Sequence, residues 1–119
     1  MQLHLEEMEH DVVMIQIDGG LDGQTSSQLT QALDQMLDQG TRRIIIEGSK
    51  LSFVSSMGIG TLMSLHHRMK KRGGDVKIAA LQGRVWDVLR TVGLDRLLAI
   101  YPDVGRACLA FRPPDATAP

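Results

Sequence analysis

Two short stretches near the start of the chain alternate polar with apolar residues: Gln2 to Leu5, then Val13, Ile15 and Ile17 set against Met14, Gln16 and Asp18. Alternation with period two marks half-buried strands, so the chain is predicted to open on a hairpin with a short acidic turn. Gly19 and Gly20 are expected to break the second strand. Beyond them the period changes: Leu29, Ala32, Leu33, Met36 and Leu37 recur at helical spacing. Thr25 or Ser26 is placed to cap that helix, and Gly40 to end it.

The same exchange of periods repeats. Ile44, Ile45 and Ile46 form a β-branched run too short for a helix and apolar on both faces, which predicts a central strand covered on both sides. From Ser56 onward Ile59, Leu62, Met63, His66 and Met69 or Lys70 mark a helix face stopped by Gly73 and Gly74. Val76 to Ala80 reads as the next strand. Arg84 to Val92 reads as a helix with Val85, Val88, Leu89 and Val92 on one side, ended by Gly93. A short apolar segment, Leu97 to Ile100, meets Pro102, and a last helix from Val104 to Phe111 turns Ala107, Cys108 and Phe111 inward. Alternating strands and helices after a hairpin predict an α/β fold with parallel crossovers.

Length and composition narrow the function. At 119 residues and 13.1 kDa the chain fits one domain, residues 1–111, with RPPDATAP at 112–119 expected to be a flexible tail. A net charge of −1 and four aromatic residues supply neither the basic excess nor the stacking platforms of a nucleic-acid binder. The basic run HHRMKKRGG at 66–74 falls at the predicted end of a helix, where positive charge suits the dipole. No apolar run approaches a membrane span, and MQLHLEEMEHD has no signal-peptide character, so a cytoplasmic location is expected. The single Cys108 agrees, since it cannot form an intramolecular disulfide.

Enzyme chemistry finds little support in the residues. No G-x-S-x-G elbow surrounds a serine, no phosphate-loop G-x-x-x-x-G-K-[ST] occurs, and adjacent His66 and His67 project about 100° apart on a helix, so they cannot share a metal. No metal or cofactor is expected. The seven methionines are read as core packing, and Trp86, off the apolar side of its helix, as a candidate for exposure.

One stretch stands apart. LSFVSSMGIGTLM, residues 51–63, carries two adjacent serines and two glycines where a strand turns into a helix. A serine there caps unpaired backbone N–H groups, which accounts for one hydroxyl better than for two. Gly58 and Gly60 keep the backbone approachable. Three uses remain open on these residues alone: a cap, a cradle for an anionic ligand, or a serine that itself receives a phosphate.

At this point the chain resembles the STAS family, specifically the stand-alone bacterial anti-sigma factor antagonists. GGLDGQTSSQL is similar to the family's G-x-L-D-x-x-T region, with Leu21, Asp22 and Thr25 in the matching places. RIIIEGSKLSFVSSMGIGTLMSL is similar to its strand, loop and helix, usually an apolar strand ending in Asp and then F-[apolar]-D-S-S-G-[LI]-G. RGGDVKIAAL and VWDVLRTVGLDRLLAIYPDVGRACLAF match the closing elements, so the likeness runs from Asp11 to Phe111. It implies a STAS fold: a mixed sheet of four or five strands flanked by about four helices.

The resemblance also implies a non-enzymatic function. Such a protein binds an anti-sigma factor that is also a serine kinase, is switched off by phosphorylation of a loop serine, and is restored by a PP2C-type phosphatase. Ser56 stands at the phosphorylated position, with Ser55 the lesser candidate, and Asp22, Thr25, Ser55, Ser56, Met57 and Gly58 are expected at the partner surface. Three departures accompany the match: Ser55 replaces the usual Asp, Met57 the second serine, and Glu47 the strand-end Asp. The competing reading is an unphosphorylated STAS adaptor or scaffold subunit in a larger signalling or lipid-transport complex. Homo-oligomerisation is left open.

Overall fold

The computed structural model describes residues 2–111, so the expected tail at 112–119 lies outside the described residues. The opening hairpin forms as the alternation predicts: β1 (Gln2–Met8) pairs antiparallel with β2 (Val12–Leu21), from Gln2 opposite Asp18 to Met8 opposite Val12. A short 3-10 turn joins them, with His10 and Asp11 in the left-handed region at φ 63° and 58°.

Gly19 and Gly20 do not end β2, contrary to the expectation. The strand runs ten residues, through a register shift at the two glycines, and this length lets it serve two parallel neighbours in succession. Residues 12–16 pair with β3 (Arg43–Glu47), and Gly19 to Leu21 pair with β4 (Leu51–Val54). Gly20 is required here, since a Cβ on it would fall 2.0 Å from Cε1 of Phe53. The sheet is therefore six-stranded, in the order β1-β2-β3-β5-β6, with β4 on the far end of β2. Six strands stand where four or five were expected; β4 is the strand-like approach to the serines, and its pairing with β2 follows only once β2 passes its glycines.

The three isoleucines of β3 are 0–2% exposed at the centre of this order. One sheet face carries Ile15, Ile17, Leu21, Ile44, Ile46, Val76 and Ile78. Against it pack α1 (Gly23–Asp38), through Leu29 and Leu33, and α2 (Ser56–Lys71), through Leu62, Leu65 and Met69. α3 (Gly83–Thr91) adds Val85 and Leu89, and the short α4 (Leu94–Leu97), which the sequence pattern does not announce, adds Leu94. On the opposite face α5 (Val104–Phe111) lays Ala107 and Phe111 on Val12, Ile45 and Ala79. β5 (Asp75–Ala79) and β6 (Ala99–Tyr101) complete the parallel part of the sheet.

Some details depart from expectation. Val92 ends up 51% exposed because α3 stops at Thr91, one residue before it. Trp86 is half-buried, with the Arg90 guanidinium 5.4 Å from its ring centre. Of the methionines, Met36 and Met69 are buried, whereas Met57 and Met63 are 66% and 38% exposed on α2. The basic run at the end of α2 joins neighbouring carboxylates: Arg68 lies 2.6 Å from Asp34, Lys70 3.2 Å from Asp75 and Arg72 3.7 Å from Asp38.

Candidate functional site

β2 and β4 end side by side, and each leads at once into a helix. Two helix N-termini are thereby set next to each other at one end of the sheet. Their contact is close: a Cβ on Gly23, the first residue of α1, would lie 2.9 Å from Met57 Sδ on α2. A Cβ on Gly58 would lie 2.4 Å from the Leu21 carbonyl oxygen. The Ser55 N–H donates to that same carbonyl at 2.9 Å, tying the start of α2 to the end of β2. Gly58 is thus a close-approach glycine, whereas Gly60 faces open space.

At the start of α1 the cap is Asp22, in place of the predicted Thr25 or Ser26. Its Oδ1 accepts the Gln24 and Thr25 N–H groups, both at 3.0 Å, and Thr25 Oγ1 accepts the Asp22 N–H at 2.8 Å. The Thr25 hydroxyl proton is shared between the Gly20 carbonyl at 2.8 Å and Asp22 Oδ1 at 3.1 Å. This reciprocal arrangement satisfies several of the N–H groups that a helix start otherwise leaves unpaired. The Thr25 N–H, assisted by the Thr25 hydroxyl and the Gln24 N–H, holds the Asp22 carboxyl below the usual carboxylate range. Thr25 points inward to this network and is half-buried.

At the start of α2 the cap is Ser55. Its backbone is extended, and its Oγ accepts the Gly58 N–H at a long 3.2 Å. Ser56 is the first helical residue and is exposed, and among the described residues no hydrogen bond engages its side chain. The adjacent serines therefore differ sharply: one hydroxyl is half-buried and serves the helix, the other stands free at its positive end. Met57, the next residue of α2, is exposed and lies against Gly23 at the start of α1, while Phe53, 50% exposed, lies over Gly20 on β2.

Two residues that shape this end of the sheet, one exposed and one buried, were not assigned a place by sequence reasoning. Phe53 sits on a strand edge whose exposure depends on β4 pairing with β2, so no periodicity marks it. Glu47, noted only as a departure at the end of β3, is 6% exposed. Burial pushes its carboxyl up, but hydrogen bonds from Gln16 Nε2 at 2.6 Å and from the Ser49 N–H more than offset this, so it titrates below its ordinary value. The ionised carboxylate clamps the β3–β4 turn to β2 and so fixes the approach to the serines. His66 is half-buried, its Nδ1 without a partner among the described residues, and burial lowers its pKa. Among the described residues no group of three or more His, Cys, Asp or Glu side chains could hold a metal ion, and no helix is long and apolar enough to cross a membrane.

The chain is 26% identical over 98 residues to the anti-sigma F factor antagonist of Paenibacillus polymyxa, covering 80% of this chain and 84% of that one. The crystal structure of an anti-sigma factor antagonist from Mycobacterium paratuberculosis superposes with a TM-score of 0.82, at 22% identity and over 94% of each chain. The phosphorylated form of the Bacillus cell fate determinant SpoIIAA superposes with a TM-score of 0.71, at 21% identity, over 93% of this chain and all of that one. At such identities the solved structures establish the fold. The STAS domain family model matches residues 5–107, nearly the whole described chain, and this protein belongs to the STAS domain family.

Proposed function

We propose that this protein is an anti-sigma factor antagonist, switched off by phosphorylation of Ser56. Its partner is an anti-sigma factor that is also the serine kinase, and a PP2C-type phosphatase reverses the modification. In this reading the protein is the kinase's substrate and does no chemistry itself. The observation that carries it is the unequal use of the two serines: the Ser55 hydroxyl is committed to the Gly58 N–H, while Ser56 is exposed and unengaged. The name of the Paenibacillus relative supplies the partner class.

The switch follows from charge and burial. A phosphoserine adds about −1.5 to −2 charges at pH 7. On Ser56 those charges meet the positive end of α2, an interaction worth about 0.3–1 kcal/mol at an exposed position, so the fold tolerates them. A partner that covers Met57, the residue next to Ser56, would have to strip water from the phosphate. A loss of about 4 kcal/mol weakens binding roughly a thousandfold, which suffices for a switch. Asp22, Thr25, Ser55 and Gly58 contribute by shaping the surface, while Ser56 and Met57 are its contact residues.

The test uses ATP, the cognate anti-sigma kinase and two variants. One phosphate should be added, on Ser56 by peptide mapping. Ser56→Ala should bind the partner well and Ser56→Asp poorly, although both fold. A phosphate on Ser55, or equal affinities for the two variants, would overturn the proposal in favour of an unphosphorylated STAS adaptor.

A further inference from the structure

Among the described residues β1 is the longest strand with a free edge. It terminates the sheet order, and all seven of its residues pair with β2 on the inner side, with no bulge, glycine or proline to disrupt the outer side. A regular, unpaired edge of this kind offers a row of backbone donors and acceptors to another strand. Leu5, at its centre, is 52% exposed. Beside Leu5 lies a cleft of about 270 Å³ between β1 and the end of α1, lined by Leu5, Val13, Met36, Gln39 and Thr41 among others.

We propose that two copies of this chain associate along β1, antiparallel and centred on Leu5, joining their sheets into one. The strand's own sequence selects this register. With Leu5 opposite Leu5, His4 of each copy lies opposite Glu6 of the other, twice in the dimer, and Gln2 to Met8 are all paired. Centring on Glu6 would set Glu6 against Glu6 and lose both His4–Glu6 pairs, while either register leaves a leucine opposite Glu7. Centring on His4 would set His4 against His4 and Gln2 against Glu6, losing both His4–Glu6 pairs. Directly opposite residues share a sheet face, so the two Leu5 side chains meet beside the two clefts, where each has Val13 and Met36 within its neighbourhood. The arrangement is isologous and closed, so it stops at two copies.

The antiparallel relation also decides where the serine sites go. The Gln2 end of β1 pairs with Asp18, near the β2 glycines that border the site, so the two sites face opposite ends of the dimer. Each stays open. Association therefore needs neither phosphorylation nor an anti-sigma partner, and its failure would leave the proposed function untouched.

Sedimentation equilibrium on the purified full chain, from about 1 μM to about 1 mM, reads the proposal directly. A monomer–dimer equilibrium is expected. Leu5→Lys places a charge at the centre of the joined edge and should weaken association at least ~10-fold while leaving the thermal melt intact, because the position is exposed. His4→Glu sets two carboxylates against each other and should weaken it by a similar factor, about 10-fold. The double variant His4→Glu with Glu6→His restores opposite pairs and should recover most of the loss. A chain that stays monomeric to the highest concentration overturns the proposal. So does equal association of the wild type and His4→Glu, or a double variant as weak as the single one.

Discussion

The starts of α1 and α2 lie side by side, follow neighbouring strands and carry hydroxyl or carboxylate caps, yet they are built to opposite ends. α1 closes on itself: Asp22 and Thr25 satisfy each other's backbone, and the Thr25 hydroxyl reaches back to Gly20. α2 has a single side-chain capping bond, long, from the Gly58 N–H to Ser55 Oγ, with Ser56 left outward. The lesson is a division of labour. A helix start whose donors are satisfied internally is scaffold, whereas one that is lightly capped beside an exposed hydroxyl is where another molecule can act without dismantling the fold.

The largest expected effect comes from the contact that presses the two starts together. Gly58→Ala puts a Cβ 2.4 Å from the Leu21 carbonyl and 2.9 Å from Val54 Cγ1, and a backbone oxygen cannot swing aside. Strain of about 3 kcal/mol outweighs the ~1 kcal/mol that alanine gains in a helix, for a net loss of about 2 kcal/mol. Gly60→Ala, with nothing within 4 Å, should instead raise stability by up to ~1 kcal/mol. Urea denaturation midpoints measure both, and a Gly58→Ala as stable as Gly60→Ala would show that the helix starts are not tightly joined.

The next effect sharpens the contrast between the caps. Asp22→Ala should lower the urea midpoint more than Ser55→Ala does, since it strips the acceptor from two N–H groups and leaves Thr25 without its counterpart. Ser55→Ala should cost about 0.5 kcal/mol, the low end for a cap, because its bond is long. Equal losses in the same denaturation experiment would remove the distinction drawn above.

The smallest effect is in the pH dependence of that difference. Asp22 has a folded pKa held below its unfolded value, chiefly by the Thr25 N–H, so its stabilisation is full above the ordinary carboxylate range near pH 3.9 and is lost as pH falls through the folded value. The stability gap between wild type and Asp22→Ala should therefore narrow under acid conditions. The gap for Ser55→Ala should keep its size, since a serine hydroxyl does not titrate there. Acid titrations followed by circular dichroism compare the two, and a gap for Asp22→Ala that widens on acidification would reverse the assignment of its carboxylate as the stabilising species.

Much of this molecule was settled by local pattern. The hairpin, the central isoleucine strand, helices α1, α2, α3 and α5, and the importance of the stretch at 51–63 all follow from residue period and turn chemistry, because burial on one face repeats along the chain at a spacing the sequence displays. Tertiary structure decided the rest. Asp22 could be the cap of α1 only once β2 ran through Gly19 and Gly20 to Leu21, and those glycines, which locally signal a break, instead admit the Phe53 ring and the register shift. The free edge of β1 likewise depends on which strands pair. Ser55 and Ser56 are chemically identical neighbours, so no local rule separates them. Their difference arises because the Ser55 N–H meets the Leu21 carbonyl of another strand, which sets where α2 begins and leaves the next hydroxyl in the open.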